Sequence, residues 1–95
     1  MMTVYEAIAE MRRLSDKRIA FSFSYMSYSM DRRTSHGIVT VPRATLRKQS
    51  TKETNKHADH LLNYFDLSVM ENRQCWQPLI MTFNNESLEL NYGRT

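Results

Sequence analysis

One cysteine, two glycines and two prolines are all that the 95 residues contain of these types, and each scarcity closes off a class of protein. A lone Cys forms no internal disulfide, so a stapled secreted domain is excluded and a reducing cytoplasm is the expected setting. Two Gly cannot build a glycine-rich phosphate cradle, which removes the common nucleotide loops. No apolar run approaches the roughly 20 residues that span a bilayer, so no membrane contact is expected. The N-terminus shows neither the apolar stretch nor the small-residue cleavage site of a secretory leader.

What is present is globular. Hydrophobic residues make up 41% and charged residues 24% of the chain, and this length supports one core, so residues 1–95 are expected to form a single domain. The formal charge of +3 is unevenly spread. Residues 12–56 hold eleven Lys and Arg against three Asp and Glu, a net +8, whereas residues 1–11 carry −2 and residues 57–95 carry −3. Such polarity suits either a nucleic acid or acidic partner at the middle of the chain, or copies that meet basic part to acidic part.

The first segment has the three-and-four spacing of a helix face in Val4, Ala7, Ile8, Met11 and Leu14. Thr3 followed by Glu6 is a capping box, and Arg12 and Arg13 suit the negative end of the helix dipole. A helix over residues 3–14 follows. From Ile19 the period becomes two: Ile19, Phe21, Phe23 and Tyr25 alternate with Ala20, Ser22 and Ser24. Met26, Tyr28 and Met30 then take the opposite parity, which predicts a bulge or strong twist near Tyr25 and Met26. Asp31 to Gly37 reads as a polar turn closing on glycine, and the β-branched Ile38–Val41 as the returning strand, with Pro42 at an edge or a break in pairing. Residues 47–57 contain no apolar side chain and are expected to be a mobile loop.

The segment at 60–67 fits either a helix face or alternate strand positions; its Asn63, Tyr64 and Phe65 are weak helix formers, which favours a strand. Cys75–Phe83 reads as a mostly covered strand that must accommodate Pro78, and Leu88–Tyr92 as its hairpin partner across Asn84 to Ser87. Gly93–Thr95 is expected to fray. The resulting fold class is α+β: one N-terminal helix packed on an antiparallel sheet of about five strands, in the order helix, hairpin, three-stranded meander.

No catalytic constellation emerges. His57, His60, His36 and Cys75 lack the second closely spaced ligand pair of a structural zinc site, so no metal or cofactor is expected. Cys75 heads an apolar segment and reads as core packing; Asp66, Glu71, Glu86 and Glu89 show no convergent spacing. Two surfaces remain as candidates. Arg32, Arg33, Arg43, Arg47 and Lys48 could contact a nucleic acid or an acidic partner, with Tyr25 and Tyr28 on the same hairpin as stacking groups. Met26, Tyr28 and Met30 extend the first strand beyond the reach of a three-turn helix, and thioether and phenol groups are favoured at protein contacts.

Asn72-Arg73 leading into Leu79–Asn84 and Leu88-Glu89-Leu90, with the Asp31-Arg32-Arg33 turn ahead of Gly37-Ile38-Val39, resembles small uncharacterised proteins of Bacteroides-type phages and integrated mobile elements. The resemblance covers about two thirds of the chain and rests on strand and turn pattern, with Asn84-Asn85 in place of the usual Asn-Gly. It implies a virion or mobile-element accessory protein that assembles with itself or with other particle components. The expected function is a noncatalytic binding or assembly module, with a nucleic-acid-binding domain on the basic central segment as the alternative.

Overall fold

A computed structural model describes residues 2–29, 34–47, 49 and 60–89, with the backbone alone for residues 29 and 34–36. The expected helix is α1, Val4–Asp16, which runs two residues further than the spacing predicts. Its capping box is complete: the Glu6 N–H donates to Thr3 Oγ1 at 3.1 Å and the Thr3 N–H to Glu6 Oε1 at 3.0 Å. This fixes the start. The end is set by Arg18 at φ 61°, where the chain leaves the helix through two closing bonds, Ile19 N–H to Leu14 O at 2.8 Å and Arg18 N–H to Ser15 O at 3.0 Å. That pairing is the Schellman arrangement, with arginine where glycine is usual. Ala7, Ile8 and Met11 are buried, and Val4 and Leu14 pack at the margin of the core.

Six strands among the described residues form one antiparallel sheet: β1 Phe21–Ser29, β2 Thr34–Leu46, β3 Leu61–Asp66, β4 Glu71–Trp76, β5 Ile80–Phe83 and β6 Glu86–Ser87. The order is β4-β3-β2-β1-β5-β6. The ambiguous segment at 60–67 is thus a strand, and the α+β class holds with one strand more than expected. The three-stranded meander over the second half does not form. Instead β1 to β4 make one continuous meander, and β5 and β6 a hairpin on the far side of β1. The single strand expected over Cys75–Phe83 is split by a 3-10 turn at Gln77–Leu79, because Pro78 has no N–H to give to a ladder. Glu71 is the first residue of β4, and Glu86, within the turn expected across Asn84 to Ser87, pairs with Phe83 in β6.

The sheet must curl. Four inter-strand steps of about 4.8 Å separate β4 from β5, roughly 19 Å in a flat sheet. Trp76 and Ile80 are joined by only four residue steps, whose extended reach is at most about 14 Å. Packing between β1 and β4, which the strand order keeps apart, confirms the closure. Tyr64 on β3 accordingly meets Phe23 on β1 edge to face, with ring centroids 5.0 Å apart. The core inside this curl is Phe21, Phe23, Tyr25, Val41, Ala44, Leu62, Tyr64, Cys75, Ile80, Phe83 and Leu88, closed by the buried face of α1.

Register irregularities allow the bending. Opposite β5 a shift falls between Ser24 and Tyr25, near the expected position, with Met81 as the extra residue; opposite β2 another falls between Ser27 and Tyr28. Strand β1 itself keeps its alternation, and the additional residues lie in its partners. Gly37 is therefore inside β2, paired with Ser27 at φ 89°, and does not close the hairpin turn as expected. Pro42 sits at a third irregularity, where β2 passes Phe21 and Phe23, in accord with its inability to donate. The β5–β6 hairpin turns on Asn84 and Asn85, at φ 48° and 69°, the two positive values that a two-residue turn of this hand requires. No described helix is long and apolar enough to cross a membrane.

Candidate functional site

Because β1 alternates regularly, Phe21, Phe23 and Tyr25 point into the core, and Ser22, Ser24, Met26 and Tyr28 line the outer face. Tyr25 is buried at 6% exposure, so it is a core residue and offers no stacking surface. Met26 is half-buried and stands directly opposite Ile38 of β2. Ile38 is 60% exposed and Tyr28 38%, so these three side chains form an apolar patch on the side of the sheet away from α1. Sequence spacing does not single out Ile38, because its place beside Met26 depends on strand register. Further along the same face Ser24 and Thr82 share a hydroxyl hydrogen bond of 2.6 Å. Met30, Arg32, Arg33, Lys48 and nearly all of the 47–57 loop lie outside the described residues, as do His57 and the 93–95 tail.

The two acidic ends of the chain come together. Glu89 forms a parallel bridge with Thr3, and its N–H donates to Met2 O at 2.8 Å. Glu6 in the first turn of α1 and Glu86 in β6 are both exposed. The Glu6 carboxyl is held below its ordinary range by its hydrogen bonds to the Thr3 backbone and hydroxyl.

The described basic residues have different uses. Arg13 is engaged with Glu10 at 2.8 Å, and Arg73 lies 3.9 Å from Asp66 and 3.8 Å from Glu71. Arg43 and Arg47, the two described members of the expected basic cluster, are both exposed, on β2 and just beyond its end. Arg47 lines a groove of about 380 Å³ with Arg12, Ser15, Asp16, Leu46 and Gln49, and Arg43 is not part of that lining. A second groove of about 350 Å³, lined by Tyr5, Ile8, Ala9, Arg12 and Gln77, shares Arg12 with the first. The wall under Arg47 is well fixed: Leu46 N–H donates to Ser15 Oγ at 2.9 Å, and Arg47 N–H to Asn63 O at 3.1 Å. The Gln49 amide grips the Asn63 backbone at both ends, accepting from its N–H at 2.9 Å and donating to its carbonyl at 2.8 Å.

The nucleophile and acid candidates are occupied with structure. Burial pushes the Cys75 thiol up to about 12, which keeps it protonated and unreactive. Asp66 is buried, accepts hydrogen bonds from the N–H and hydroxyl of Ser68, and faces Arg73, so its carboxylate anchors the β3–β4 turn. His60 is exposed, immediately before β3. Among the described residues no three His, Cys, Asp or Glu side chains gather where a metal could bind. The hydroxyls of Tyr25 and Tyr64 pair at 2.8 Å inside the core, and burial together with this bond raises the Tyr64 phenol well above its ordinary value. No family model, curated protein or solved structure matches this chain.

Proposed function

We propose that the protein is a noncatalytic assembly module that associates with further copies of itself through the outer face at the β1–β2 hairpin. The observation that carries this reading is the patch of Met26, Tyr28 and Ile38, apolar side chains on a sheet face that α1 does not cover. Burying such side chains yields roughly 25 cal/mol per Å². A second copy is the favoured occupant because the chain is complementary to itself. The basic central stretch of the sequence, net +8 over residues 12–56, can meet acidic residues such as the exposed Glu6 or Glu86 of the next copy. Such a contact is head to tail, and it generates rings or filaments according to whether the rotation closes. The reading extends to an accessory role in a phage particle or mobile element, in the cytoplasm or virion, supported by the resemblance of strand and turn pattern.

Sedimentation velocity at rising protein concentration tests the proposal. The expected result is a mass above that of one chain that falls as salt screens the charges. Ile38→Lys, at an exposed position where folding is undisturbed, is expected to return the protein to a monomer. A monomer at every concentration, or undiminished association of Ile38→Lys and Tyr28→Lys, overturns it.

A further inference from the structure

The flank of α1 on the other side of the sheet has chemistry that the assembly reading does not use. The helix commits Ala7, Ile8 and Met11 to the core, Glu6 to its cap and Glu10 to Arg13. Tyr5, Ala9, Arg12 and Asp16 remain, at the four-and-three spacing that places them in one row along the helix. Eleven residue steps at 1.5 Å make this row about 16 Å long. Tyr5 is 74% exposed, with its ring open to solvent at one end of the row. Ala9 is small and lowers the floor beside it. The row borders both grooves: Gln77 from the 3-10 turn lines the one beside Tyr5, and Leu46, Arg47 and Gln49 from the end of β2 and beyond it line the one beside Asp16, with Arg12 common to the two.

Two features make this a binding surface of defined chemistry. Among the described residues neither Arg12 nor Arg47 lies within ion-pair distance of a carboxylate, whereas Arg13 and Arg73 do. Both guanidiniums are thus available to an external anion from opposite walls of one groove. The backbone under Arg47 and the helix turn carrying Ser15 are already hydrogen-bonded to each other and to β3, so little order is lost on binding. An aromatic face for a base, flanked by arginines for phosphates and by side-chain amides, is how single strands are held without sequence readout. A duplex would present no open base to Tyr5.

We propose that the groove from Tyr5 through Arg12 to Arg47 binds single-stranded nucleic acid, a base stacking on Tyr5 and the backbone phosphates passing between the two arginines. Asp16 at the far end opposes a phosphate there and limits the site to a few nucleotides. The site is on the helix side of the sheet, so it is compatible with assembly through the outer face.

Fluorescence anisotropy of a labelled oligothymidylate and oligouridylate, measured over a range of salt, tests this. Arg12→Gln and Arg47→Gln are each expected to weaken binding and to reduce the slope of log affinity against log salt by about 0.7, the share of one phosphate on a single strand. Tyr5→Ala is expected to weaken binding about fivefold to a hundredfold with the slope unchanged. Asp16→Asn is expected to tighten it, and Arg43→Gln and Glu86→Gln to leave it as it was. All these positions are exposed or partly so, and far-ultraviolet circular dichroism of each variant should match the wild type. No anisotropy change at low salt overturns the proposal. So does an Arg43→Gln effect equal to those of Arg12→Gln and Arg47→Gln, which would indicate diffuse surface charge. Displacement by polyglutamate, with Tyr5→Ala binding as tightly as wild type, also overturns it by making this a site for acidic peptides.

Discussion

The hydroxyl pair of Tyr25 and Tyr64 gives the sharpest quantitative expectation. Tyr64 has no exposed surface, Tyr25 retains 6%, and their oxygens are 2.8 Å apart. Tyr25→Phe removes one partner and leaves the Tyr64 hydroxyl buried without a bond, at a cost of about 1–3 kcal/mol. Tyr64→Phe does the reverse, and because Tyr25 is nearer solvent its orphaned hydroxyl costs no more than that. The double replacement leaves no orphan. It forfeits only the net value of one hydrogen bond, about 1 kcal/mol or less, and retains the edge-to-face contact with Phe23. The cycle should therefore show a coupling of at least about 1 kcal/mol, the double variant being more stable than the sum of the single losses requires. Urea unfolding followed by the fluorescence of Trp76, the only tryptophan, measures all four proteins, with equal m-values as the check on a common unfolded state. Additive losses would refute the reasoning, because they would mean that each hydroxyl finds another partner.

Four further outcomes follow from the backbone and from burial. Arg18 at φ 61° occupies a helix-terminating position that favours glycine, so Arg18→Gly is expected to raise stability by about 0.5–1 kcal/mol, whereas Gly37→Ala, at φ 89° with no atom near its missing Cβ, should lower it by about 1–2 kcal/mol through backbone strain alone. Denaturant midpoints check both. Thr3→Ala removes the acceptor for the Glu6 N–H and should cost about 1 kcal/mol, seen as a lower melting temperature. The Cys75 thiol ionises near 9.0 when unfolded and at about 12 when buried, so the native state keeps a proton that the unfolded chain has lost. Stability should then be level below about pH 9 and fall as pH rises toward 12, by up to about 1.4 kcal/mol per pH unit from this group. Cys75→Ala should flatten the fall between pH 9 and 10, before the raised Tyr64 phenol adds its own in the same direction.

Much of the local architecture is legible in residue types. Thr3 and Glu6 mark the helix start because a hydroxyl and a carboxylate three residues apart satisfy two free amides. Asn84 and Asn85 mark a hairpin because asparagine tolerates positive φ. The alternation through Tyr25 identifies the buried face of β1. Pro78 was visible as a problem within Cys75–Phe83, but an unpaired proline can be met by a bulge or by a break, and nothing local chooses between them. Gly37 is ambiguous for a similar reason: a positive φ serves a turn and a bulge equally well. Of the candidate site residues, Arg47 could be named for its charge and Tyr28 for its parity. Arg12, Tyr5 and Ile38 could not, since a helix arginine, a helix tyrosine and a strand isoleucine each have an ordinary reading until their neighbours are known.

The sequence by itself determined the N-terminal helix and its cap, the alternation through Tyr25, the turn at Asn84 and Asn85, and that the chain's positive charge is concentrated in its middle. These depend on interactions over three or four residues, or on alternation, and they are present before the chain closes. Only the tertiary structure decided that the sheet curls, that the acidic ends meet through Thr3 and Glu89, and that Arg12 and Arg47 face one groove. The physical reason is that each depends on contacts between segments far apart in the chain: the short 3-10 link from β4 to β5 cannot cross a flat sheet, Glu89 bonds to Met2, and Leu46 bonds to Ser15 of the helix.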